Sequence, residues 1–335
     1  MIYITNPQQS DFAAETSTHC YLDIETTGLS KRLDTIVCIG LAYFIDGTLT
    51  VSHWMIENPQ EEALLIGTFL QEVLKFKKIY TYGGKHFEWP FILEKAQLYN
   101  LDTTILTKVH LVDLKPSKVS RTHFEDLIGF KRHLTTSGRE LAKLCKLFIT
   151  TSAPQYQTLI CEHNAEELRS ILATSQYYKF LNHLKSEQMA TYSFEEEALI
   201  FTLHPTDSYP YDLRYEDNDY VVFYDHQAQA LSLSLNGSWL KLRAYLPPSD
   251  YYLVDGTLMH KSLARLLPAS MRQKVNKSDC YLEQEGLYLP VALSSESINW
   301  QDTNKQIYTF YNPDQLKDKI PEILKIALKK ITQRH

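Results

Sequence analysis

The chain has 335 residues, of which 44% are hydrophobic and 12% aromatic, enough for one or two packed cores, and its formal net charge of −6 excludes a protein that coats nucleic acid through bulk charge. Five scattered cysteines, odd in number and never in CxxC pairs, exclude a disulfide framework and a thiolate zinc site and fit a reducing cytoplasm. The N-terminal stretch has no basic and apolar leader pattern, and the longest apolar run, IVCIGLAYFI, is too short to span a bilayer, so no membrane partner is expected.

In chain order, HCYLDIE reads as a strand and TIVCIGLAYFIDGTLTVSHWMI as two strands joined at Asp46-Gly47. NPQEEALLIGTFLQEVLKF reads as a helix with Asn58 as N-cap and Pro59 at its first position. KIYTYGG is a further strand, PFILEKAQLYN a helix and LVDLK a fifth strand. TTSGRELAKLCKLF and the stretch from His163 to Ala190 are amphipathic helices, so the first part is α/β and layered. Beyond residue 190 the texture changes to short aromatic alternating runs. DYVVFYDHQAQALSLSLNGSWLKLRAYLP, with an Asp-His and an Asn-Gly turn, reads as an antiparallel meander. Helical pieces follow in HKSLARLLPASMRQKV and DQLKDKIPEILKIALKKITQ, which makes a smaller α+β C-terminal domain. The expected division is 1–190 and 191–335.

Asp23 and Glu25 stand two apart in the apolar strand and so point to the same face. Adjacent carboxylates repel and are costly to bury unless a cation neutralises them; taken alone, the pair also fits an exposed strand end. Hard oxygen ligands are those that Mg²⁺ or Mn²⁺ prefer. CEHNAEELRSIL adds His163 and Glu167, one helical turn apart on one face, although His163-Asn164 also fits a helix cap.

LDIETTGL resembles the first motif of the DEDD superfamily of 3′–5′ exonucleases, and TYGGKHFEWPFI resembles the second, with Glu88 after Phe87 where the family has Asp. His163 and Glu167 resemble the third motif, again with Glu for Asp. The His-Asn pair and HLVDL, with Asp113, are most similar to the bacterial YprB-like branch. The resemblance covers roughly residues 18 to 185. It implies a ribonuclease-H-like mixed sheet flanked by helices, and a metal-dependent 3′–5′ exonuclease acting on single-stranded DNA or RNA. In such a site two divalent ions, about 3.5–4 Å apart, activate a water and stabilise the leaving oxygen. The resemblance implies that Asp23, Glu25, Glu88 and Glu167 hold Mg²⁺ or Mn²⁺ while His163 orients or deprotonates the attacking water. The two exchanges for Glu, and the missing Asn of the second motif, also admit a catalytically weakened fold that binds nucleic acid or a protein.

Residues 108 to 146 carry nine Lys or Arg against four acids, the most basic segment of an acidic chain. Lys131, Arg132, Arg139 and Lys143 are the expected phosphate contacts, with Trp89 as a surface on which a terminal base stacks. Tyr21 and Phe87 are further stacking candidates or core residues. The aromatic C-terminal domain, with Tyr251, Tyr252, Arg265 and Arg272, extends such a groove or binds a protein partner.

Overall fold

The structure, a computed structural model, describes residues 1–12, 16–116, 119–134, 136–294 and 298–333. Lys118 of the basic segment therefore lies outside the described residues. The chain divides into two compact units, Met1–Asn182 with Tyr209–Asp212, and His183–Ser208 with Leu213–His335.

The first unit is built on a six-stranded sheet of β1 (Ile2–Gln8), β2 (His19–Thr26), β3 (Ile36–Ile45), β4 (Thr48–Met55), β5 (Lys78–Thr81) and β6 (His110–Asp113). Their order across the sheet is β1-β4-β3-β2-β5-β6. β1, β4, β3 and β2 pair antiparallel in turn, whereas the β2–β5 and β5–β6 pairs are parallel. β2 and β3 are buried along nearly their whole length, which is why their sequences are continuous apolar runs rather than alternations. The expected turn at Asp46-Gly47 closes the β3–β4 hairpin with both residues at positive φ, 46° and 83°. The sequence reading did not include β1, a half-exposed edge strand pairing Ile2 with Met55, and an edge is the place where a strand tolerates a proline such as Pro7.

Among the described residues the unit's α-helices are α1 (Glu62–Glu72), α2 (Glu88–Leu98), α3 (Arg121–Leu127), α4 (Gly138–Thr151) and α5 (Pro154–His183). Leu65, Ile66 and Phe69 of α1, Phe91 and Ile92 of α2, and Leu141, Cys145 and Phe148 of α4 join Leu22, Ile24, Ile39 and Leu41 of the sheet in one core. Asn58 stands at the N-cap of a 3₁₀ turn, Pro59–Glu61, with Pro59 at its first position, but makes no side-chain cap there; α1 follows directly. α4 carries the full capping box, Ser137 with Glu140. α5 begins at Pro154, so His163-Asn164 lies inside the helix and the cap alternative is corrected. The i, i+4 relation of His163 and Glu167 is unaffected, since both readings are helical.

A buried ion pair ties α1 to α2. Glu62 is 1% exposed; its Oε2 lies 3.2 Å from Lys95 Nζ and accepts from Tyr99 Oη at 2.6 Å, and its Oε1 accepts from Ile36 N at 2.7 Å. Lys95→Met strands that carboxylate without its cation, and the expected loss is about 3–5 kcal/mol in a denaturant titration. A loss below about 1 kcal/mol would mean that the Tyr99 hydroxyl and the Ile36 amide suffice to hold the Glu62 carboxylate.

The second unit has a five-stranded antiparallel sheet of β7 (Met189–Phe194), β8 (Ala198–Leu203), β9 (Leu213–Glu216), β10 (Tyr220–Asp225) and β11 (Ala230–Asn236). A small closed barrel contains β12 (Ser238–Tyr245), and a three-stranded sheet contains β13 (Tyr251–Val254) and β14 (Thr257–His260), which is followed by α6 (Lys261–Ala264). The Asp-His turn joins β10 to β11, with Asp225 Oδ1 accepting from the amides of Gln227 and Ala228. Asn236-Gly237 does not form a hairpin: β11 stays in the first sheet while β12 pairs with Tyr281–Leu289 of the barrel. Gly237 is instead where the chain crosses between sheets, its amide donating to Glu197 O at 2.6 Å. The helix expected over HKSLARLLPASMRQKV shrinks to α6 and a 3₁₀ turn, because Leu263 and Leu266 are left exposed and Pro268 stops propagation. Two C-terminal helices, α7 (Pro313–Leu316) and α8 (Ile320–Gln333), close the unit. α8 buries Ile320, Ile323, Leu324, Ala327 and Ile331 on one face.

Candidate active site

β2 delivers Asp23 and Glu25 to a cleft of about 560 Å³ whose lining also holds Glu88, His163 and Glu167. Each of the five is at least nine-tenths buried. The turn that ends β2 is fixed by Asp34: its Oδ1 accepts from Thr27 Oγ1 at 3.2 Å and its Oδ2 from Ser30 N at 2.9 Å. A Cβ on Gly28 would stand 2.5 Å from Asp34 Oδ2, which explains the glycine of Thr-Thr-Gly.

Glu88 opens α2, and the loop before it is held by Asp113 at the end of β6. Asp113 Oδ1 accepts from Gly83 N at 2.7 Å and Oδ2 from Lys85 N at 3.1 Å. Gly83 has φ +88°, and a Cβ on Gly84 would meet the Thr81 side chain at 2.5 Å. Both glycines are thus required by the backbone path that presents Glu88.

α5 supplies the other wall. His163 Nδ1 lies 3.1 Å from Glu25 Oε1 and Nε2 lies 3.7 Å from Glu167 Oε1. Asn164 Nδ2 donates to Asp23 Oδ2 at 2.8 Å and reaches Glu25 Oε1 at 3.4 Å. Asn164 fits only because β3 has Gly40 opposite Asp23, where a Cβ would stand 1.7 Å from Asn164 Oδ1. Two arginines bind Glu167. Arg132 places Nη1 2.6 Å from Oε1 and Nη2 3.2 Å from Oε2, and Arg121 is ion-paired with Oε2. Both arginines also hold the buried Glu125, at 3.1 Å from Arg121 Nε and 2.6 Å from Arg132 Nε.

These contacts divide the carboxylates electrostatically. Burial, and then the charges of Glu25, Glu167 and Glu88, push Asp23 well above the usual carboxylate range. Burial also raises Glu25, against the hydrogen bond from His163, and lifts Glu88 to about 7. For Glu167 burial is outweighed by the charge of Arg121 and the hydrogen bonds of Arg132, so its carboxyl is held below its ordinary value. Burial lowers His163, but the hydrogen bond and charge of Glu25 outweigh it and the imidazole is net raised.

The basic residues separate into groups. Arg139, Lys143 and Lys146 lie on one exposed face of α4 and line the cleft. Lys131 is exposed in a neighbouring cleft of about 720 Å³. Arg132, expected as a phosphate contact, has its guanidinium engaged with two carboxylates, Glu125 and Glu167. Trp89 packs half-buried against the core and does not line the cleft, whereas Phe87 does. Tyr21 is fully buried and stacked on Tyr80. Sequence reading missed Asn164 and Arg121 as members of the site, and Asp34 and Glu125 as their supports.

The donor set suits a hard divalent cation: the carboxylates of Asp23, Glu25 and Glu88 face one cleft, and buried Glu88 Oε2 has no hydrogen-bond partner among the described residues. Among the described residues, no three of the five site residues bring ligand atoms all within 4.8 Å of one another, so binding an ion must draw these side chains inward.

Residues 20–182 match the model of the family described as the RNase_H superfamily. The chain is 28% identical to the uncharacterized protein YprB of Bacillus subtilis (strain 168) over 182 residues, covering 51% of this chain and 43% of that protein. Among solved structures, the family B DNA polymerase of Pyrobaculum calidifontis is similar at a TM-score of 0.42 and 10% identity, covering 99% of this chain and 50% of the polymerase. E. coli Exonuclease I in complex with a dT13 oligonucleotide is similar at a TM-score of 0.26 and 13% identity, covering 63% and 55%. With the family match spanning the mixed sheet and its helices, residues 20–182 carry an RNase H-like α/β fold, followed by a separate α+β domain.

Proposed function

We propose that this cleft is the active site of a metal-dependent 3′–5′ exonuclease acting on single-stranded DNA or RNA. The observation that carries the reading is the convergence of Asp23, Glu25, Glu88, His163 and Glu167, drawn from β2, α2 and α5, in one cleft walled by the Arg139, Lys143 and Lys146 face of α4. Asp23, Glu25 and Glu88 would hold Mg²⁺ or Mn²⁺, with Glu167 as the further carboxylate that the family pattern contributes. Bound there, such a cation would supply Lewis acidity, making a water more acidic and neutralising charge on the leaving oxygen. His163, anchored by Glu25, orients the attacking water and takes up its proton at Nε2, a role suited to an imidazole whose basicity Glu25 has raised. Asn164 fixes the Asp23 carboxylate, and Asp113 fixes the loop that presents Glu88.

A single strand approaches along α4, where Arg139, Lys143 and Lys146 meet phosphates and Phe87 offers a face to the terminal base. Arg139→Gln with Lys143→Gln is expected to weaken binding of unrelated oligonucleotides alike and to lower the slope of log K against log salt by roughly 1.4, about 0.7 for each lost contact. An unchanged slope in fluorescence anisotropy titrations would place the strand elsewhere.

A second reading, a weakened nuclease fold that binds nucleic acid or a protein partner, is favoured by one observation: both oxygens of Glu167 are engaged by arginines. A 5′-labelled oligonucleotide incubated with Mn²⁺ separates the two. The exonuclease shortens it stepwise from the 3′ end, whereas retention of full-length strand beside measurable affinity supports the binding module.

A further inference from the structure

The arginines around Glu167 bear on how many ions the site takes. Glu125 and Glu167 balance Arg121 and Arg132 charge for charge, and every contact in this network is made within the protein. Arg121 is held from three sides, by Glu125, by Glu167 and by the Tyr82 ring 4.5 Å from its guanidinium carbon. A guanidinium does not lose its proton in a protein, so this charge is permanent. What remains for a cation is Asp23, Glu25 and Glu88. One divalent ion reduces their combined charge from −3 to −1; a second would reverse it to +1 beside a fixed guanidinium.

We infer that Arg121 is the second cation of this site: the chain binds one divalent ion, at Asp23, Glu25 and Glu88, and Arg121, which lines the cleft, holds Glu167 Oε2 from a second while Arg132 anchors Oε1. The inference rests on the metal-dependent reading above and departs from the two-ion pattern that the family resemblance implies. Arg121 is thereby a positioning residue, acting through Glu167. It also shapes the cavity, for Arg121 and Glu167 line both the 560 Å³ and the 720 Å³ clefts.

The test is Mn²⁺ binding to the full metal-free chain without nucleic acid, by isothermal titration at about pH 8. The wild type is expected to bind one ion per chain, Arg121→Met two, and Arg121→Lys, which keeps the charge, one. Electron paramagnetic resonance of the loaded wild type supplies a readout that needs no variant: an uncoupled mononuclear spectrum is expected. Two ions in the wild type, an exchange-coupled pair, or a single ion in a folded Arg121→Met variant would overturn the inference while leaving the nuclease reading intact. A wild type that binds no Mn²⁺ would overturn both.

Discussion

The metal-free protein is expected to lose stability as pH rises from about 5 to about 8, and to regain it when Mn²⁺ is added. Glu88 is the clearest contributor: its carboxyl is raised from an ordinary 4.5 to about 7, first by burial. Between those values the native state keeps a proton that the unfolded chain has lost, so stability falls with rising pH. The gap corresponds to about 3 kcal/mol for this one group. Asp23 and Glu25 are raised as well and act with the same sign, and so does His163, whose stabilising proton is lost as pH climbs through its raised value. Glu167 has the opposite sign, but its lowered carboxyl matters only at more acid pH. A cation at the carboxylates removes the penalty, and at about a hundred times its dissociation constant adds about 2.7 kcal/mol. Thermal scans across this range, with and without Mn²⁺, should therefore diverge towards alkaline pH; curves that stay parallel would mean that the carboxylates are not a cation site.

Asp23→Asn is expected to remove Mn²⁺-dependent degradation by about 10³-fold or more, corresponding to about 4 kcal/mol or more in the barrier. The same variant should be as stable as the wild type, or more stable, without metal at about pH 8. Asn at this position can still accept the hydrogen bond that Asn164 Nδ2 gives, at 2.8 Å in the native chain, while the repulsion with Glu25 is gone. Loss of activity together with loss of stability would instead mark Asp23 as structural. Full activity in the variant would remove it from the chemistry.

How much of this was legible in the sequence depended on whether the cause was local. β2, β3 and β4 announce themselves because strands buried on both faces are continuous apolar runs and Asp46-Gly47 suits one hairpin turn. His163 and Glu167 are legible as a pair because helical periodicity alone puts them on one face. The start of α5 was not, since Gln155, Gln157 and Thr158 interrupt its first turns and only Ile160 there is fully buried, Leu159 being exposed. Nor was Asn164, whose place depends on Gly40 in another element, or Arg132, which meets Glu167 across 35 residues of chain. A count of basic residues reads Arg132 as a phosphate contact; only the fold shows that its charge is already taken. Asn236-Gly237 failed for a related reason, because turn chemistry says that the chain can bend there but not that the two strands belong to different sheets.

Anomalous difference density from crystals soaked in Mn²⁺ at about pH 8 tests the central claim, a cation-binding carboxylate site on an RNase H-like fold, most directly. The account predicts a strong peak coordinated by Asp23, Glu25 and Glu88, absent from Asp23→Asn crystals grown under the same conditions. A wild-type map with no peak at these residues would contradict it.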